Sequence, residues 1–216
     1  MLDRKIVGGT IAAIIDAPYQ VSLLLEFSGT GSYYHTCGGS IITRNVIVSA
    51  AHCIDGITAN SWRIRAGSAE HWSGGQVIQV TRIVKHSSYN SALNNNIALL
   101  FLASSLVLST SVATVTLPSQ GQTVADGANA FVTGWGAFTV SFLCNASSFV
   151  VSSDGRRSPV VRVLTSTPKV AGSNPGGDSG GPLTVGGILI GITSWGKGYG
   201  QAGYPGVWTR NDWLNG

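Results

Sequence analysis

Ser179 stands in the run Gly177-Asp178-Ser179-Gly180-Gly181-Pro182, and His52 in the run Ser49-Ala50-Ala51-His52-Cys53. A serine hydroxyl is a weak nucleophile near neutral pH. It acts when a base, most often a histidine, takes its proton and a third group orients that base. The neighbouring glycines strip bulk from around Ser179. They leave the Gly177 and Ser179 backbone N–H groups free to face a developing negative charge. Asp178 has no basic neighbour in its own run, so it calls for a cation from elsewhere in the chain. Taken alone, the run also reads as an ordinary turn, and His52 as a half-buried structural histidine at the end of an apolar stretch. His35, His71 and His86 fall in loop or strand-edge contexts and are expected at the surface.

The elements that must position these groups are strands. Hydrophobic residues make up 44% of the 216 positions and charged ones only 10%, against about 25% charged in ordinary soluble proteins. Gly, Ser and Thr fill the gap. Short apolar runs recur at 20–27, 40–49, 62–66, 76–85 and 97–102, separated by turn formers such as Ser73-Gly74-Gly75. A second series lies at 130–133, 160–165, 187–194 and 206–210. The pattern predicts an all-β chain of two lobes joined near Leu117-Pro118-Ser119-Gln120-Gly121. A cleft between such lobes is where a site forms. No stretch is long and apolar enough for a membrane-spanning helix. The net charge of +4 is scattered, its densest group being Arg156-Arg157. A nucleic-acid surface presents a stripe or cluster of bases, so neither nucleic acid nor membrane is expected as a partner.

Of the three cysteines, Cys37 and Cys53 could pair across a loop of about 15 residues, worth about 3 kcal/mol by chain entropy. Three free buried thiols are the other reading. Cys144 is left over, and Asn145-Ala146-Ser147 forms a weak glycosylation sequon. The opening Met1-Leu2-Asp3-Arg4-Lys5 is too short and polar for a signal peptide.

A family resemblance gathers these pieces. Ile6-Val7-Gly8-Gly9, Cys37-Gly38-Gly39-Ser40, Ala50-Ala51-His52-Cys53, Gly134-Trp135-Gly136, the Ser179 run, Ser194-Trp195-Gly196 and Gly203-Tyr204-Pro205-Gly206-Val207 follow one another in this order. The order resembles that of chymotrypsin-like serine proteases, the trypsin/chymotrypsin family, over nearly the whole chain. The resemblance implies two six-stranded antiparallel β-barrels with the active-site cleft between them. It implies a protease domain over 6–216, with lobes at roughly 6–116 and 117–216, preceded by an activation-peptide remnant at 1–5. It also implies secretion, in keeping with a Cys37–Cys53 disulfide, and a monomer acting on protein or peptide substrates and met by protein inhibitors.

Carried over by motif, Ser179 is the nucleophile and His52 the general base. The N–H groups of Gly177 and Ser179 form the oxyanion hole. Ser194, Trp195 and Gly196 pair with an extended substrate, and Gly203 lines its side-chain pocket. An activating protease cutting after Lys5 would free the Ile6 amino group to pair with Asp178, so the chain reads as a zymogen. No cofactor is implied. Glu70 lies where some relatives bind calcium, but no second acid follows before Gln79, and no metal is expected.

The chain departs from the pattern at the third member of the triad. An aspartate belongs before Ile97-Ala98-Leu99-Leu100, and Asn96 stands there; Asp126 and Asp154 fall in other segments. A carboxylate accepts the imidazole Nδ1–H and leaves Nε2 free to take the serine proton. Local donors, the Ser194 hydroxyl among them, are expected to draw the Asn96 amide oxygen and turn its NH₂ toward His52. That fixes the wrong tautomer. In this family the exchange is an established case, costing about 10⁴ in turnover. Counting back from Ser179 places Ser173 at the base of the specificity pocket, which suits large apolar side chains better than basic ones. Pro175 and Tyr199 replace a cysteine pair beside that pocket. Residues 137–174 match the family poorly, either as natural variation or as a retained or frame-shifted stretch. Two functions follow: a serine endopeptidase impaired by Asn96, or a non-catalytic homologue that binds proteins through the same cleft.

Overall fold

The computed structural model describes residues 12–27, 29–125, 128–135, 149–152, 160–164, 179–196 and 206–210, with backbone alone for 149–152, 160–164, 195–196 and 206–210. Six strands close the first barrel: β1 (Gln20–Glu26), β2 (Tyr33–Thr43), β3 (Val46–Ser49), β4 (Trp62–Ala66), β5 (Gln76–Lys85) and β6 (Ala98–Leu102). Their order around it is β1-β2-β3-β6-β5-β4. A second barrel is formed by β7 (Asn129–Val132), β8 (Phe149–Ser152), β9 (Val160–Leu164), β10 (Pro182–Val185), β11 (Ile188–Gly196) and β12 (Gly206–Arg210). It runs β10-β11-β12-β9-β8-β7. Full closure leaves no long edge strand to be protected. Among the described residues the helical content is one turn, α1 (Ala51–Ile54), and two 3₁₀ turns, Ile14–Asp16 and Ala59–Ser61. Among the described residues no helix is long and apolar enough to cross a membrane.

Strand β4 shows why the chain folds this way. Trp62, Ile64 and Ala66 are buried, while Arg63 and Arg65 between them are not. That period-two pattern puts one face into the barrel and the other toward solvent. One sequence expectation needs correction. The run 40–49 is not a single strand, because β2 and β3 form a hairpin through Arg44 and Asn45. The polar residues break the apolar alternation, and the Asn45 N–H bonds back to Thr43 Oγ1 at 3.4 Å. Strand β2 also reaches back to Tyr33, through Gly38 and Gly39. A side chain at Gly39 would lie 2.9 Å from Ile47 Cγ2 and from Leu23 Cδ1, so only glycine lets the opposite wall close in.

The larger core contains Val21, Leu23, Ile41, Ile47, Trp62 and Ile64, and it continues into Leu189 and Ile192 of β11. Each such side chain contributes about 1.5–3 kcal/mol on burial, so the shared core joins the barrels firmly. Polar contacts sew the same seam. Leu189 N–H donates to the Thr116 carbonyl at 2.8 Å, and Gly38 N–H to the Ser179 carbonyl at 2.9 Å. Thr133 Oγ1 donates to Gln20 Oε1 at 2.8 Å. The disulfide is formed: Cys37 of β2 is bonded to Cys53 of α1, with Cα atoms 6.3 Å apart.

Candidate active site

His52 is delivered by the shortest helix a chain can make. β3 ends at Ser49, Ala50 stands at the helix N-cap with no side-chain cap, and α1 follows at once. The first backbone N–H groups of any helix lack an intrahelical acceptor. Here the acceptor for the His52 N–H comes from outside the helix: Asn96 Oδ1, at 2.8 Å. Strand pairing brings it there. Ser49 faces Ala98 across β3 and β6, which sets Asn96, two residues before β6, beside the start of α1. The loop before it turns through two left-handed residues, Leu93 at φ 60° and Asn95 at φ 50°. Asparagine tolerates that region well; leucine does so only under constraint.

The backbone bond settles which way the buried Asn96 amide points. An N–H can only donate, so the oxygen must face it and the NH₂ must face away. The NH₂ then donates in two directions, to His52 Nδ1 at 2.7 Å and to Ser194 Oγ at 2.7 Å. The sequence reading placed the NH₂ against His52, as found, but gave Ser194 the opposite role. Its hydroxyl accepts from the amide rather than donating to it, because the oxygen is already held by the helix. Ser194 reaches Asn96 from a β-bulge: Thr193 faces Trp208 and Trp195 faces Val207, so Ser194 is the extra residue on β11.

An imidazole nitrogen that accepts a hydrogen bond carries no proton. Nδ1 accepts from Asn96, which puts the proton of the neutral ring on Nε2. The other side of the ring agrees. Nε2 lies 3.8 Å from Cys53 Sγ, and a disulfide sulfur has no hydrogen to give. No hydrogen bond joins the Ser179 hydroxyl to the His52 ring among the described residues. Burial pushes the His52 pKa below its ordinary value of 6.5. A hydrogen bond to Asn96 would oppose that shift only if the ring were the donor. With the amide donating, it favours the neutral ring as burial does.

Ser179, half-buried, is placed by main chain. Its carbonyl accepts from Gly38 of β2, Gly180 N–H donates to the Thr193 carbonyl at 2.7 Å, and Thr193 N–H to the Gly181 carbonyl at 2.9 Å. Gly180 has φ 85°, and a Cβ there would lie 2.5 Å from the Gly38 carbonyl oxygen and closer still to Ser49 Oγ. No other residue fits. The Gly38 motif was visible in the sequence without a role; its N–H is what anchors the serine. Cys37, His52 and Cys53 bring nitrogen and sulfur within 4.8 Å of one another, but the bonded sulfurs offer no thiolate to a metal.

The structure thus brings together His52, Asn96 and Ser194, with Ser179 alongside. The backbone of Trp195 and Gly196 continues β11, paired with Val207 and Gly206. Gly177, Asp178, Ile6, Ser173, Gly203, Lys5 and Cys144 lie outside the described residues, as do Asp126 and Asp154. Asp55, close in sequence to His52, is exposed and paired with Lys85. His71 is not a surface residue as expected. It is only 8% exposed, with its ring 4.8 Å from that of His35 and edge-on to Trp72.

A trypsin family model matches residues 6–215. The chain belongs to the trypsin family. Among its relatives, trypsin beta of Drosophila erecta is 38% identical, covering 96% of this chain and 84% of its own length. Trypsin Blo t 3 of Blomia tropicalis is 39% identical over 95% of this chain and 81% of its own. Trypsin alpha of Drosophila melanogaster is 36% identical over 96% and 83%. In a trypsin-family serine protease, two barrels sharing a seam and a histidine beside a glycine-framed serine are the hydrolytic frame.

Proposed function

We propose that the chain is a secreted serine endopeptidase, or its zymogen, in which Ser179 attacks a peptide carbonyl with His52 as base, and that Asn96 impairs it. The observation that carries this reading is the amide clamped between the His52 N–H and the His52 ring. This position faces two donors when the base works: a backbone N–H and a ring Nδ1–H. A carboxylate accepts from both, whereas an amide accepts from one and donates to the other. The base nitrogen that should receive the Ser179 proton is therefore already protonated. Acyl transfer requires the ring to exchange tautomers and lose the Asn96 bond first.

Substrate binding is supported separately. Ser194, Trp195 and Gly196 extend past the β10 pairing, so among the described residues β12 alone flanks them. Their other side can accept an extended substrate as an added strand. In this reading Gly177 completes the oxyanion hole, Ser173 and Gly203 shape the pocket, and cleavage after Lys5 lets Ile6 reach Asp178. The lobes divide at roughly 116–117.

A second reading, a non-catalytic homologue that binds proteins through the same cleft, is favoured by the same tautomer. A fluorophosphonate probe separates them, applied after cleavage behind Lys5 to the chain and to Asn96→Asp. Labelling of Ser179 that becomes strong only in Asn96→Asp supports an impaired protease. Equal, fast labelling in both removes Asn96 as the cause. No labelling in either points to a failed fold or oxyanion hole, and leaves a protein that at most binds.

A further inference from the structure

The first barrel carries a second concavity, away from Ser179. Strand pairing sets His35, Leu24 and Arg63 in one row, and Arg65 opposite Val77 in the next. These side chains share the outer face of the sheet. The loop after β4 folds back over it, held by Arg65, whose guanidinium donates to the carbonyls of His71, Trp72 and Gly74. What remains open between loop and β2 is a groove of about 470 Å³, with Tyr34 and Trp72 among its walls.

Two properties set this groove apart. Phe27, Tyr34, Trp72 and Val77 are 53%, 57%, 62% and 43% exposed. Three of them line the groove, and Phe27 contacts Tyr34 with ring centroids 5.9 Å apart. Among the described residues, half of the large exposed apolar side chains thus gather at one place, as at interaction sites. Second, among the described residues its charged lining is two arginines and no acid. Arg65 is spent on the loop. Arg63 lies over the Tyr33 ring and uses only Nε, toward Gln79, among the described residues. Its terminal nitrogens are left to face a ligand. The nearby Glu26 accepts from Gly31 N–H and Tyr33 OH in its own hairpin.

We propose that this groove docks an extended segment of a partner protein carrying a carboxylate and, two residues along, an aromatic or branched apolar side chain. Arg63 meets the carboxylate with paired N–H donors. The apolar side chain enters between Tyr34 and Trp72. Alternation in an extended strand puts residues two apart on one face. The groove is continuous with the active site along β2: His35 lines it, and Gly38, about 10 Å further on, holds the Ser179 carbonyl. The groove uses no atom of the Ser179 hydroxyl, so the docking of this segment stands whether or not Ser179 turns over.

The test is fluorescence anisotropy with a fluorescein-labelled peptide of about six residues alternating glutamate and phenylalanine. It uses the full chain carrying Ser179→Ala, so cleavage cannot mimic release. Saturable binding is expected, weakened about tenfold by Trp72→Ala and by Arg63→Ala, by glutamine in place of glutamate, and by added salt. Arg82→Ala, on an arginine stacked over Phe101, leaves it unchanged. Trp72→Phe restores binding and guards against a folding artefact. The proposal is overturned by no saturable binding up to about 1 mM, or by equal binding in the wild type, Trp72→Ala and Arg63→Ala chains. Heparin binding that needs Arg63 but ignores Trp72 would replace the protein partner with a sulfated polysaccharide.

Discussion

Ser179 rests in a seat built of main chain, whereas His52 is held by side chains. The serine's position depends on N–H and carbonyl groups of Gly38, Gly180 and Thr193, which every sequence possesses provided glycine stands where the chain crowds. The histidine's depends on which atoms the Asn96 side chain presents. A backbone seat fails through sterics and takes the fold with it. A side-chain seat can fail by one atom while every contact distance stays normal. On the proposed reading, the difference lets a chain keep the main-chain seat of the serine and still hold its base in the wrong protonation pattern.

The comparison is broken most forcefully at Asn96. Asn96→Asp is expected to raise turnover by about 10⁴, the established size of this exchange in the family, with little change in fold. Rates on a chromogenic peptide after activation check it, and equal rates would mean that His52 already works. On the serine side the expected failure is structural. Gly180→Ala forces a Cβ onto Gly38 and Ser49 at a left-handed φ and should cost about 3 kcal/mol or more, read from the urea midpoint. A midpoint within error of the parent would show that the seat yields.

A smaller effect sharpens the histidine side. The His52 pKa is lowered, so the unfolded chain takes up the proton more readily. The stability due to neutral His52 is present above the ordinary His value of 6.5 and is lost as pH falls through its folded value. Asn96→Asp reverses the sign, because a carboxylate favours the charged ring. Denaturation midpoints across mildly acidic pH should diverge between the two chains, the parent losing more on acidification. Parallel curves would contradict the assignment.

Much of this was legible in the sequence. Alternating apolar residues located β4 and β5, and the ordered motifs named His52, Asn96 and Ser179. The β2–β3 hairpin was not legible because its turn is one Arg44-Asn45 pair without glycine or proline. The reach of β2 back to Tyr33 was hidden because Gly38 and Gly39 do not look like strand residues until the opposite wall is seen. The direction of the Ser194 bond was missed for a related reason. It follows from a helix N–H that lies 44 residues from Asn96 in the chain, and no local pattern reports that donor. His71 was misplaced because the loop that covers it is held by Arg65, a residue of alternating type that reads simply as exposed.

The central claim concerns one proton, and nitrogen-15 NMR of the His52 ring observes it directly. At neutral pH the account predicts a bare, acceptor-type Nδ1 and a protonated Nε2 in the parent chain. In Asn96→Asp it predicts the reverse, with the proton on Nδ1. A protonated Nδ1 in the parent chain would contradict it.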